Sequence, residues 1–393
     1  MSARADVFVN INHSEKELGV RTVVDFDKPI SSFRFSLSSL LKIDHIEADT
    51  TIIWEIVKEW QPQWRYNSNE ILVTGETPIN RIAIVYHGNI SGWCNAIEEK
   101  RIALSSYSTW YITEASEHIN YNFVLQDMED YFVVNGSFDS QTGEWIYGNT
   151  NHDEGNIIAL RNGSYHVSTT DNFSFYYLNE AEKVYADNYI YYYKEITSYY
   201  SSVFPPRNIG KMDIVSLGLD GGGAYFRNEL IVINSLNVNC DIESVKENTI
   251  TLLGHELGHN WFFAANTSSW EDWLNETGAE WSSLLYILSL SNHKLFEQQL
   301  DWPLKNYQET PPIKTPDLKR PEGVHMRGTI MFYEIYKKYG KEVILAILRT
   351  LASLDEMTTE NFLNKLRIEM GNVIPDIIEK GLNLQNYSEL FEV

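Results

Sequence analysis

The sequence predicts a multidomain protein of the β plus α/β class. An N-terminal antiparallel β-sandwich or saddle-like sheet domain is expected over residues 1–177, followed by a mainly α-helical domain over residues 178–393. Three observations carry this. At 393 residues the chain exceeds one ordinary hydrophobic core, which points to two domains. Its first half alternates apolar and polar residues with the period of two that a half-buried strand requires. Near residue 178 that period gives way to helical spacing.

In the first half, Val7-Val9-Ile11, Phe33-Phe35-Leu37, Ile71-Leu72-Val73 and Ile82-Ile84-Tyr86 each put apolar side chains on one face of a strand. Asn135-Gly136 and Asn162-Gly163 stand between such runs. Both pairs tolerate the positive φ of a two-residue loop, so both predict hairpins. His87, His118, His152 and His166 are scattered through this half and are expected in surface or core roles.

The second half opens with Tyr185, Tyr189, Tyr192, Ile196 and Tyr199 at helical spacing, an aromatic stripe expected to pack in a core. Two strand-like runs follow, Asp213 to Leu217 and Leu230 to Ile233. Between them lies Gly221-Gly222-Gly223-Ala224-Tyr225, whose glycines permit close approach of another backbone. A capping box at Ser244-x-x-Glu247 predicts a helix start there. His325-Met326-Arg327-Gly328 opens a further helix to about Tyr339, with Gly340 as its C-cap.

The chemistry concentrates between His255 and Glu280. His255 and His259 are one helical turn apart, so both imidazoles share a face, about 6 Å apart along the axis. Neutral imidazoles so placed can share one tetrahedral Zn²⁺, with Glu256 beside the open position as a base. Such a site needs a third protein ligand, and Glu276 is the natural one. Glu280, a turn further on, is placed to accept from a ligating histidine and fix its tautomer.

Composition narrows the partners. A formal net charge of −23 argues against nucleic acid and anionic membranes, and a negative field favours cationic substrates. No apolar run reaches the ~18 residues needed to span a bilayer. The N-terminus lacks the charged-then-apolar pattern of a signal peptide. Cys94 and Cys240, far apart in sequence, fit reduced thiols and a cytoplasmic address.

These motifs resemble the gluzincin metallopeptidases of the aminopeptidase N and leukotriene hydrolase type, where a HELxHxWF helix is followed by W-L-N-E. His255, Glu256, His259, Trp261, Phe262 and the run Trp273 to Glu276 match as they stand. The resemblance implies a thermolysin-like catalytic domain behind the β domain, one zinc ion, and a short form without the helical-repeat domain of larger members. It implies that Gly221 to Tyr225 bind substrate, in the place of a G-x-M-E-N motif whose Glu holds the free amine. Ala224 stands where that Glu would be. His325 stands where the family has a Tyr that donates to the oxyanion, and an imidazole N–H can do the same.

The implied activity is a zinc-dependent peptidase, aminopeptidase-like with atypical N-terminus recognition. Glu256 would act as the base and His325 as the oxyanion donor, with a peptide or small amide as substrate aligned along the strand near Leu230. An endopeptidase or specialised peptide-processing enzyme would explain Ala224, and a different hydrolase on the same scaffold, opening an epoxide or cleaving a small amide, would need the same metal. A zinc-binding pseudoenzyme is the third alternative, against which the retention of Glu256 argues. The oligomeric state is left open.

Overall fold

The computed structural model describes residues 2–59, 68–113, 115–150, 155–227, 229–317 and 319–392. His152 lies outside them. The chain forms two compact units. The first holds Met1–Ser168, Ser174–Glu180 and Met212–Leu236, and the second holds Thr169–Phe173, Ala181–Lys211 and Asn237–Val393. Residues 212–236, which the sequence reading counts with the helical half, thus group with the sheets.

The first unit is built on strands β1 (Ser2–Asn12), β2 (Glu17–Ser38), β3 (Leu41–Ala48), β4 (Ile52–Lys58), β5 (Ser68–Gly88), β6 (Ala96–Glu98), β7 (Arg101–Leu104), β8 (His118–Leu125), β9 (Tyr131–Val133), β10 (Ser137–Asp139), β11 (Glu144–Thr150) and β12 (Ile157–Arg161). They are followed by β13 (His166–Thr170), β14 (Phe173–Tyr177), β15 (Met212–Ser216), β16 (Ala224–Arg227) and β17 (Leu230–Ile233). An eight-stranded sheet runs β10-β11-β8-β1-β2-β5-β3, with β4 also on β5. A four-stranded sheet runs β6-β7-β12-β9, and a five-stranded one β13-β14-β15-β17-β16.

The large sheet is mixed, because β1 pairs parallel with β8. The ladder between its two long strands shifts register around Ile30 opposite Ile79. Pro29 and Pro78 sit beside those residues and cannot donate to the ladder, which is why the bulge falls there. The alternating residues fill the core as their period requires: Val7, Val9, Phe33, Phe35, Leu37, Ile82, Ile84 and Tyr86 are all buried. Each such side chain contributes about 1.5–3 kcal/mol.

The two expected hairpins are turns of another kind. Asn135 does take a positive φ of 60° and Gly163 one of 76°. However, β9 and β10 lie in different sheets, and so do β12 and β13. The short flanking strands find better partners elsewhere, β9 on β12 and β10 on β11, so each turn carries the chain from one sheet to the next.

The second unit is helical: α1 (Ala186–Val203), α2 (Ile242–Gly258), α3 (Trp273–Ser289), α4 (His293–Asn306), α5 (Val324–Tyr339), α6 (Lys341–Ala352), α7 (Thr359–Met370) and α8 (Val373–Gly381). The tyrosine stripe is core, with Tyr185, Tyr189, Tyr192, Ile196 and Tyr200 buried and Tyr199 only partly so. The α2 helix starts earlier than the capping box indicates. Asp241 is its N-cap, accepting the Ser244 N–H at 2.8 Å, so Ser244 lies inside the first turn. Gly340, at φ 82°, ends α5 as expected. Among the described residues, no helix is long and apolar enough to cross a membrane.

Candidate metal centre

Small residues set the geometry of the centre. A Cβ on Gly258 of α2 would lie 2.8 Å from the Ala279 Cα of α3, and one on Gly254 would lie 3.0 Å from the Ser283 Cβ. These contacts let the two helices approach closely enough for side chains on α2 and α3 to converge. A Cβ on Gly328 of α5 would lie 3.0 Å from the Thr277 Cβ, so α5 is brought against α3 in the same way. Tyr200 on α1 donates to the Gly254 carbonyl at 2.6 Å, and Trp261 donates to the Pro205 carbonyl at 2.9 Å. Asn275 ties the approach loop to α3. It accepts the Ala265 N–H at 3.1 Å and donates to the Ala265 carbonyl at 3.0 Å.

His255, His259 and Glu276 converge, each offering one ligand atom, all within 4.8 Å of one another. Nδ1 of His255 lies 3.0 Å from Oε2 of Glu280, and Nδ1 of His259 lies 2.9 Å from the Phe262 carbonyl. Both partners only accept, so each Nδ1 carries the hydrogen and each Nε2 is the atom left to ligate a metal, giving up any proton it holds when the metal binds. Those two Nε2 atoms lie 3.5 Å and 3.8 Å from Oε2 of Glu276. That oxygen is buried and accepts no hydrogen bond. A buried carboxylate oxygen without a partner is costly, and a cation between it and two imidazole lone pairs removes the cost. Two nitrogens and one carboxylate oxygen fit Zn²⁺ with one position left open.

The charges make the pocket attractive to a cation, a proton or a metal ion alike. Burial pushes the Glu276 carboxyl up, but His325, His255 and His259 hold it well below the usual carboxylate range. Burial also raises Glu280, yet His255 beside it keeps it below its ordinary value. For His255 burial acts downward, and Glu276 and Glu280 outweigh it to hold the imidazole well above its usual value. Glu256 lies on the same α2 turn and is buried, 6% exposed.

His325 enters from the first turn of α5. Its Nδ1 is 3.0 Å from Oε2 of Glu276, and its ring stacks on that of His255 with centroids 5.8 Å apart. Arg327, two residues on, is turned elsewhere. It is fully buried and donates to the carbonyls of Tyr307, Thr310, Gln385 and Leu384.

Gly221 to Tyr225 belong to the first compact unit. Their carbonyls are tied down: Asn234 donates to Asp220 at 2.6 Å and to Gly221 at 2.9 Å, Ser235 to Gly221 at 2.6 Å, and Trp93 to Gly222 at 3.1 Å. Tyr225 is buried against Trp93 and Tyr107. The strand near Leu230 is not a sheet edge. β17 is flanked by β15 and β16, so its ladder positions are taken, and the edge strand is β16, beginning at Ala224.

Two residues of the centre escaped the sequence reading. Arg320 donates from Nε to Oδ2 of Asp272 and at 3.2 Å to Oε1 of Glu276, and it also lies 3.3 Å from Nε2 of His325. Asp272 is buried and accepts from Asn275 at 2.9 Å. Burial and the neighbouring Glu276 push its carboxyl up to about 6, against the pull of Arg320. Asp272 lies one helical turn before Glu276, a spacing that could have marked it. No linear signal connects Arg320 to either.

No family model matches the chain, and no curated protein matches it by sequence. Solved structures do. Yeast leukotriene A4 hydrolase in complex with bestatin superposes with a TM-score of 0.67 at 12% identity, covering 98% of this chain and 67% of that one. The likeness is one of fold. Native leukotriene A4 hydrolase from Saccharomyces cerevisiae gives 0.66 at 12% identity over 93% of this chain and 64% of its own. A further native yeast structure gives 0.68 at 11% identity, over 99% of this chain and 67% of its own. The chain spans about two thirds of the length of these neighbours, and it shares their sheet domain and helical domain in that order.

Proposed function

We propose that the chain is a zinc-dependent peptidase, aminopeptidase-like with atypical recognition of the substrate N-terminus, and that it acts in the cytoplasm. The observation that carries the reading is the Oε2 atom of Glu276, buried without a hydrogen bond and facing the Nε2 atoms of His255 and His259. His255, His259 and Glu276 would hold a zinc ion, which would supply Lewis acidity toward a carbonyl and a bound water. Glu256 takes the proton from the attacking water and passes it to the leaving amine. His325 donates an N–H to the developing oxyanion. Glu280 and the Phe262 carbonyl keep the two ligand imidazoles in the tautomer that leaves Nε2 open.

The acidity of the chain, −23 in net charge, supports a peptide substrate carrying positive charge. Cys94 and Cys240 as thiols support the cytoplasmic address. The test is elemental analysis of the purified full-length protein together with mass spectrometry of a mixed peptide library after incubation. One zinc per chain and defined peptide products are expected. A chain that takes up no zinc from micromolar solution, or that leaves every peptide intact when loaded, overturns the proposal.

A further inference from the structure

The contacts of Arg320 reach beyond holding a loop in place. A guanidinium can only donate hydrogen bonds, and a carboxylate can only accept them. Arg320 lies 3.3 Å from Nε2 of His325, so that nitrogen is the acceptor and carries no hydrogen. The other ring nitrogen, Nδ1, lies 3.0 Å from Oε2 of Glu276, a negatively charged oxygen that favours an N–H over a lone pair on that side although the two are not aligned as a hydrogen bond. Both neighbours therefore select the same form of the ring, with the hydrogen on Nδ1 and directed toward the ligand cluster. The same guanidinium donates to Oε1 of Glu276 at 3.2 Å, which leaves Oε2 as the oxygen turned to His255 and His259.

The guanidinium is itself anchored. Its Nε donates to Oδ2 of Asp272, a buried carboxylate whose other oxygen accepts from Asn275 at 2.9 Å. The Arg320 side chain is 12% exposed, so little water competes for these bonds. A lysine in its place offers one point of donation where this planar fork serves Asp272, Glu276 and His325 together.

We propose that Arg320 is a positioning residue. It holds His325 in the Nδ1–H form, so that the hydrogen available for donation faces the metal centre, and it orients Glu276 so that Oε2 is the ligand oxygen. The inference rests on the proposed zinc peptidase reading for its consequence in turnover, but the tautomer it requires is a property of the protein with or without metal.

The experiment uses full-length protein labelled with ¹⁵N-histidine, prepared both metal-free and loaded with zinc. The His325 signals are identified by their loss in His325→Gln. The expected result in the wild type is a protonated Nδ1 and an unprotonated Nε2. In Arg320→Met the Nε2 acceptor role loses its donor, and a shift toward the Nε2–H form is expected. Removing an outer partner of a metal ligand costs about 10–100-fold in metal affinity or activity. A kcat lowered by about that factor at saturating zinc, with KM nearly unchanged, is therefore expected, with partial recovery in Arg320→Lys. An Nε2–H ring in the wild type overturns the inference, as does an unchanged tautomer in a folded Arg320→Met. Should Arg320→Met not fold, the wild-type tautomer and Asp272→Asn, which frees the guanidinium from its anchor, decide it. If the wild type shows the Nδ1–H form but neither zinc binding nor peptidase activity, the peptidase reading fails while the positioning role stands.

Discussion

Gly258 of α2 lies so close to Ala279 of α3 that a Cβ added to the glycine would fall 2.8 Å from the Ala279 Cα and 3.1 Å from its carbonyl oxygen. Both obstacles are backbone atoms, which cannot rotate aside. In an exposed helix, replacing Gly by Ala stabilises by about 1 kcal/mol. Here the clash outweighs that gain. Gly258→Ala is expected to destabilise the protein by about 1–3 kcal/mol, the usual cost of overpacking. Because the seam sets the separation of His259 and Glu276, the variant should also bind zinc more weakly. Thermal melting and metal titration check both, and unchanged melting and zinc affinity in Gly258→Ala would show that the helices part without consequence.

Glu256 is buried beside the ligands but is not one of them. Glu256→Gln keeps the shape and removes the base, so zinc stoichiometry should hold while turnover falls by at least about 10²-fold. Loss of zinc, or turnover near that of the wild type, would place the base elsewhere.

His325 reaches Glu276 through Nδ1 and stands half open to solvent, 51% exposed, where a substrate oxygen can approach. If it donates to the oxyanion, His325→Ala should lower kcat by about 10²–10³ with little change in zinc content. The loss should appear equally in kcat/KM, since the bond forms in the transition state. A variant with wild-type kcat would exclude the role.

Arg327 makes a stability prediction independent of catalysis. It is fully buried and has carbonyls as its hydrogen-bond acceptors, from Tyr307, Thr310, Gln385 and Leu384, with its guanidinium 4.8 Å from the Tyr387 ring centroid. These bonds tie the C-terminal segment to α5. Arg327→Met leaves the buried carbonyls without donors, and a loss of about 3–5 kcal/mol is expected. A denaturant melt reads it directly; a loss under about 1 kcal/mol would mean that water replaces the guanidinium.

The parts legible in the sequence are those that one element dictates by itself. Alternation along β1, β2 and β5 predicts their buried faces, since each strand has only two sides. One helical turn between His255 and His259 predicts a shared face, and the same logic joins Glu276 to Glu280 on α3. What depends on the partner of an element is not legible. Asn135-Gly136 and Asn162-Gly163 encode turns but not the sheet the next strand joins. Ser244 and Asp241 both offer helix-capping oxygens, and only the path of the incoming chain selects Asp241. Arg320 lies 48 positions from Asp272 in sequence, and only folding brings the two together.

The last prediction turns on Ala224. A carboxylate that pairs with a substrate ammonium is costly to lose, since deleting one partner of a desolvated pair costs about 2–5 kcal/mol, roughly 30- to 5000-fold. An enzyme built on that anchor rejects blocked N-termini and trims one residue at a time. Here Ala224 opens the edge strand β16 with a methyl group, and the loop before it is pinned by Asn234, Ser235 and Trp93 through its carbonyls. No carboxylate occurs between Gly221 and Arg227, and Asp220 and Glu229 are the acidic residues that flank the stretch. Acetylating the N-terminus of a peptide substrate should therefore cost less than about 10-fold in kcat/KM, and internal cleavage should be detectable by mass spectrometry. If acetylation abolishes cleavage, another acid supplies the anchor, and Asp220→Asn and Glu229→Gln identify which. In that case strict N-terminal trimming holds despite the methyl group, and the recognition is ordinary rather than relaxed.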